Sequence, residues 1–241
     1  MDQLALHIGN GIINGQVSAA FAALAGVAVV VCVLLGRRDL DDRLAPMAGL
    51  VAAFIFAVQM LNFPVLPGVS GHLLGGALAA LLVGPWVGAL CVAVVLVVQA
   101  LVFADGGVTA VGLNVTNMAL VGTAAAYALI AVLLRVLPRT PTGLAVTAFA
   151  ASVVSVVVAS QAFVFEFWLG GTAQLGGQSL AAIAATMAGT HTLIGIGEGL
   201  IAATTVVTVA KVRPDLVYGL RGLRRRPGPA AATAPTHEVA S

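Results

Sequence analysis

Two histidines stand in short glycine-rich stretches that border apolar runs. His7 lies in Leu6-His7-Ile8-Gly9-Asn10-Gly11, and His72 in Ser70-Gly71-His72-Leu73-Leu74-Gly75-Gly76. Imidazole suits nickel, copper, zinc and cobalt, and flanking glycines let backbone segments approach one another closely. The pair has two readings: a shared transition-metal site, or two interfacial polar side chains. There is no HExxH-type local motif to decide between them. Phe103-Ala104-Asp105-Gly106-Gly107 and Leu61-Asn62-Phe63-Pro64 add a carboxylate and an amide in similar settings. His191 and Glu198 form a second group at i and i+7, on one face of a helix. They are either a gating or ion-path pair or a structural polar contact. Gln59, Gln99, Asn114 and Asn117 are further polar residues inside apolar runs, where helix–helix hydrogen bonding is the commoner use.

The elements that position these groups follow from composition. Of 241 residues, 60% are hydrophobic and 8% charged, against roughly 25% charged in an ordinary soluble domain. Mean hydropathy is +1.08. A soluble core of this size cannot hide so much apolar surface, so the chain is an integral membrane protein. A hydrocarbon core of about 30 Å needs a helix of about 20 residues. Seven apolar segments are legible: Val17–Leu35, Ala45–Leu61, Gly71–Val83, Trp86–Phe103, Gly112–Leu134, Leu144–Phe165 and Leu180–Ala210. Backbone groups in lipid must bond within the segment, so the fold class is all-α, a polytopic bundle of about seven transmembrane helices. The third segment is short for a span. The last carries Gly189, Gly195, Gly197 and Gly199, which predicts a kinked or broken helix.

Charge gives the orientation. Arg37, Arg38 and Arg43 follow segment one, Arg135 and Arg139 follow segment five, and Lys211, Arg213, Arg221 and Arg224–Arg226 follow segment seven. These loops are cytoplasmic under the positive-inside rule. Seven crossings then put the N-terminus outside, together with the loops Asn62–Ser70, Ala104–Val111 and Glu166–Ser179, which lack Lys and Arg. The domains are therefore a capture segment at 1–16, a transmembrane domain at 17–210 and a basic, Pro/Ala-rich cytoplasmic tail at 211–241. The N-terminus does not read as a cleavable signal peptide, because Asp2 stands where a basic residue belongs.

Several functions are excluded. A net charge of +2 with its basic residues confined to a few loops argues against nucleic acid. Cys32 and Cys91 sit inside apolar runs as packing residues, with no disulfide framework or CxxC pair. No P-loop, Rossmann fingerprint or GxSxG elbow occurs. The chain reads as a non-enzyme, and any ATP dependence comes from another subunit.

At these residues the sequence resembles the CbiM/NikM family, the substrate-binding membrane components of energy-coupling factor transporters for cobalt and nickel. The likeness is carried by Phe54-Ile55-Phe56-Ala57-Val58-Gln59-Met60-Leu61-Asn62-Phe63-Pro64, then Gly68-Val69-Ser70-Gly71-His72-Leu73-Leu74-Gly75-Gly76. Val98 to Gly107, Asn114 to Met118, His191 to Glu198 and Arg213-Pro214-Asp215-Leu216-Val217 continue it. The resemblance implies a metal site built from a terminal amine, the next backbone nitrogen, the side chain of an N-terminal histidine matching His7, and a further histidine matching His72. Four nitrogens in a plane suit Ni(II) or Co(II) over Mg(II). This sequence departs from the family's Met-His-Ile start and Pro-Asp turn: residues precede Leu6, and Gly9-Asn10 replaces Pro-Asp. Three expectations stay open: trimming to Leu6, other ligands (with Asp2 and Asn10 as candidates), or a different substrate. The mature N-terminal residue, measured by mass spectrometry, discriminates among them.

The expectation is a substrate-capture subunit that imports cobalt, for cobalamin synthesis, or nickel. It holds no covalent cofactor, and Co(II) or Ni(II) is the transported substrate. Its metal residues are His7 and His72, with Asn62, Asp105, Asn114, His191 and Glu198 as further functional positions. The implied partners are a transmembrane coupling subunit, ATPase subunits, a small accessory membrane subunit and membrane lipid, in the plasma membrane. The rival readings are a membrane binding or sensor protein of the same fold, and an intramembrane enzyme using His191 and Glu198.

Overall fold

The architecture follows from how each apolar run starts and stops. In the computed structural model, which describes residues 7–42, 44–60, 63–66, 69–172 and 179–223, Asn14 caps the first helix by accepting from Val17 N–H at 2.9 Å. That helix is α1 (Gly15–Gly36). After α2 (Leu44–Gln59) comes a short antiparallel hairpin, β1 (Phe63–Leu66) with β2 (Val69–Gly71), which pairs Phe63 with Gly71. Then follow α3 (Gly76–Val83) and α4 (Pro85–Val102). Pro85 opens α4 at a position where its missing N–H costs nothing. A long helical run, α5 (Val108–Val136), contains a π-helical stretch at Val115–Gly122. Thr140 caps α6 (Pro141–Gly170) and Ser179 caps α7 (Leu180–Val212), each through its hydroxyl.

Five helices (α1, α4, α5, α6 and α7) are long and apolar enough to cross a membrane unaided. At 1.5 Å per residue α2 reaches about 24 Å and α3 only about 12 Å. The third segment nevertheless crosses, as a non-helical stretch at 72–75 followed by α3. Every residue of α3 is buried, which satisfies the rule that non-helical backbone at membrane depth must be enclosed by protein. Lipid-facing side chains show the opposite pattern: Val27, Leu50, Val102 and Leu200 are each more than half exposed.

Three expectations are corrected. The expected break in the last segment is absent: α7 runs unbroken for 33 residues. Its glycines serve packing instead. A side chain at Gly195 would meet Val153 Cα at 2.8 Å, and one at Gly199 would meet Phe149, so α7 lies close against α6 along a small-xxx-small edge. The expected loop Glu166–Ser179 begins later, because α6 continues to Gly170 and takes Glu166 into the bundle. The expected loop Asn62–Ser70 includes the β-hairpin, although Asn62 itself, like Arg43, lies outside the described residues.

The ends of the elements fall into two sets. At one end Asn14 N–H bonds Gly170 O at 2.7 Å, Gly107 N–H bonds Ile8 O at 2.9 Å, and Thr172 N–H bonds Ile12 O at 3.0 Å. At the other, Gly36 abuts Val87, Gly84 abuts the Tyr218 ring, and Gly219 abuts Leu81 and Leu134. Arg37, Arg38, Arg135, Arg139, Lys211, Arg213 and Arg221 all belong to this second set of loops and helix ends. That clustering assigns the second end to the cytoplasm. The chain passes between the two ends seven times.

Candidate metal centre

The outer end gathers residues from four parts of the chain. The segment 7–13 crosses the tops of the helices and is fastened at both edges of its backbone. The Asn114 side chain, near the start of α5, accepts from Ile8 N–H at 3.0 Å and donates back to Ile8 O at 3.3 Å. Asn10 Oδ1 accepts from both the amide (3.0 Å) and the hydroxyl (2.7 Å) of Thr109. Ile13 bridges to Gly171.

This fastening presses His7 inward, to 4% exposure, beside His72 at 5%. The ring centroids lie 4.6 Å apart with planes tilted by 45°. His7 Nδ1 stands 3.0 Å from Asp105 Oδ1. Asp105 is placed by the turn that ends α4: its N–H bonds Gln99 O at 3.0 Å, and Ala104 (φ 52°) and Gly106 (φ 90°) take left-handed backbone. Gly106 is required twice over. Its φ disfavours L side chains, and a Cβ there would come within 2.7 Å of His7 Cβ.

His72 is carried on the non-helical stretch before α3. Its Nδ1 lies 2.9 Å from Leu73 O. Glu198, reaching from α7, accepts from Leu74 N–H at 2.7 Å, and Gln59, reaching from α2, donates to Leu74 O at 2.7 Å. Both backbone groups freed by the lack of a helix are thus repaid by buried side chains. Gly75, at φ 82°, turns the chain from this stretch into α3.

Electrostatics favour a cation. The hydrogen bond from His7 holds the Asp105 carboxyl below the usual carboxylate range; partial burial opposes this, and the charges of His7 and His72 add to it. With Nδ1 of each ring directed to an oxygen, Nε2 is the nitrogen each imidazole would offer a metal once its proton is displaced. Metal–imidazole bonds of about 2.0–2.1 Å put two rings bound side by side on one ion roughly 4–5 Å apart between centroids, the separation found here. Among the described residues no three His, Cys, Asp or Glu side chains form a ligand group by themselves. The centre is two imidazoles with a carboxylate behind one of them, and further ligands must come from backbone or from residues outside this set.

The structure brings together four of the sequence candidates, His7, His72, Asp105 and Asn114, with Glu198 one step beneath. Asn10 is engaged by Thr109. His191 is not joined to Glu198: its Nδ1 contacts Met187 O of its own helix at 2.8 Å. Asp2 and Asn62 lie outside the described residues. One polar group was missed. Glu166, 0% exposed, accepts from Asn117 Nδ2 at 2.6 Å. Its signal was a single acid within Ala162–Leu169, an apolar stretch that could have continued the helix.

A family model described as cobalt uptake substrate-specific transmembrane region, CbiM, matches residues 7–216. A relative in Archaeoglobus fulgidus, with the provisional name fused nickel transport protein NikMN, is 38% identical over 212 residues, covering 88% of this chain and 68% of the relative. A cobalt transport protein CbiM of Sorangium cellulosum is 30% identical over 228 residues, covering 92% and 99%. The crystal structure of a truncated transition metal transporter superposes with a TM-score of 0.73 at 23% identity, covering 86% of this chain and 99% of that one. At that identity the likeness establishes the fold.

Proposed function

The chain belongs to the CbiM family of cobalt uptake substrate-specific transmembrane regions, and from that premise we propose that it captures Co(II) or Ni(II) at the His7–His72 centre on the outer face for import. It is a multi-pass membrane protein and a cobalt or nickel transport component of the CbiM/NikMN type. The finer reading is an energy-coupling factor substrate subunit. Residues 1–16 capture the ion, 17–210 form the membrane domain, and 211–241 face the cytoplasm. The chain is a transporter subunit rather than an enzyme, and ATPase and coupling subunits supply the energy. Cobalt delivered this way serves cobalamin synthesis.

One observation carries the site: His7 and His72, remote in sequence, are buried ring against ring at the end of the molecule where the described residues include no Lys or Arg. Borderline nitrogen donors select Co(II) and Ni(II) over Mg(II), which prefers oxygen and gives up its water reluctantly. Asp105 orients His7, Asn114 fixes the backbone beside it, and Glu198 with Gln59 fixes the backbone beside His72. Release on the cytoplasmic side requires the partners to reorient the subunit.

The test is isothermal titration of purified protein with NiCl2 and CoCl2. Wild type is expected to bind at least one of them, and His72→Ala to lose at least a hundredfold in affinity while keeping its helical circular dichroism. Equally weak binding by both proteins defeats the proposal. Wild-type binding without metal uptake, in cells that also express the coupling and ATPase subunits, would favour the sensor alternative.

A further inference from the structure

The cytoplasmic end holds a second polar site, unrelated to the histidines. A cavity of about 560 Å³ opens between α5, the end of α3 and the turn at Tyr218–Leu223. Arg135, Arg139 and Arg221 line it with the phenols of Tyr127 and Tyr218. None of the three arginines forms an ion pair among the described residues. Arg139 Nε donates only to Leu134 O, at a long 3.4 Å, and the Arg221 guanidinium sits 5.7 Å from the centroid of the Tyr218 ring. Asp39 also lines the cavity, leaving a net charge of two positive. The wall is otherwise apolar, from Ala80, Ile130 and Leu134. Tyr127, on α5, and Tyr218, on the C-terminal turn, both face this cavity and form its phenolic rim.

We propose that this cavity binds the headgroup of an anionic phospholipid of the cytoplasmic leaflet. Guanidinium groups match phosphate oxygens in pairs, phenol hydroxyls donate to the same oxygens, and the apolar wall accepts the first part of an acyl chain. The volume is that of a small-molecule site. Basic pockets between helices on the cytoplasmic side are where such headgroups are held. An amphiphile satisfies both halves of the cavity at once. A free phosphate satisfies only the rim.

Native mass spectrometry of the full-length protein, incubated in detergent with equal amounts of phosphatidylglycerol and phosphatidylcholine of matched chains, tests this. Each basic residue near the headgroups is worth about fivefold. Three of them, opposed by Asp39, predict a preference for phosphatidylglycerol of about tenfold or more. Replacing Arg135, Arg139 and Arg221 together by Gln is expected to abolish the preference, with circular dichroism and Ni(II) binding unchanged. Arg37→Gln with Lys211→Gln, at the same end but outside the cavity, is expected to retain it. If the triple Gln variant does not fold, the triple Lys variant replaces it, and a severalfold loss of preference is expected from the loss of paired phosphate contacts. Equal binding of the two lipids by wild type overturns the proposal, as does full preference in whichever triple variant folds. Displacement of the lipid by millimolar inorganic phosphate overturns it in favour of a free anion. Full lipid preference in the triple variant, with loss of coupling-subunit co-purification, reassigns the cavity to a protein partner.

Discussion

At the residue scale, the centre depends on side chains that do not themselves need to touch a metal. Asp105 contacts His7 through Nδ1 and so sets which ring nitrogen is presented. Removal of such a partner typically costs 10–100-fold in metal affinity. Asp105→Asn is therefore expected to weaken Ni(II) or Co(II) binding by about that factor in calorimetry, without loss of helicity. Asp105 and Asn114 stood out in the sequence, Asp105 as an acid just after an apolar run and Asn114 as an amide inside one. Glu166 did not, because a lone acid after Phe165 reads as the start of a loop, although the apolar stretch runs on to Gly170-Gly171 and the helix ends there. Asn10 illustrates the converse. Its amide reads as a potential ligand in sequence, whereas its oxygen is taken up by two donors of Thr109.

At the element scale, the third crossing is the least regular part of the bundle and the most consequential. A helix running through 72–75 would satisfy its own backbone. The non-helical stretch instead depends on Glu198 and Gln59. Leaving a buried N–H without its acceptor costs about 1–3 kcal/mol. Glu198→Ala is accordingly expected to lower thermal stability by that amount and to weaken metal binding through His72. His191→Ala, whose imidazole bonds within its own helix, is expected to leave metal affinity within about twofold. Equal effects of the two substitutions would restore the pairing that their spacing suggests. The i, i+7 spacing was a sound reading of one helix. It did not reveal that the partner of Glu198 is a backbone N–H on a distant segment, which no periodicity encodes. The same holds for the glycines of α7, whose role as a close-packing edge depends on α6.

At the scale of the whole molecule, seven passages and the sidedness of the histidine segments and of the basic loops were legible in the sequence, because hydrocarbon thickness and loop charge constrain them directly. The lengths of the passages were not, since neighbouring helices allow one crossing to be partly non-helical and three others, α5, α6 and α7, to exceed the bilayer. With membrane-impermeant maleimide on intact cells, Thr172→Cys is expected to be labelled and Arg139→Cys to be labelled only after permeabilisation. Both native cysteines are buried, so the background is low. The stapling of segment 7–13 over the outer end has a kinetic consequence. An ion held between two rings that are almost wholly screened from water would exchange when that segment lifts, which requires parting its bonds to Asn114, Thr109, Gly107 and Thr172. The dwell time of the cargo is then governed by a local opening equilibrium, and ligand exchange at the metal sets only its upper speed.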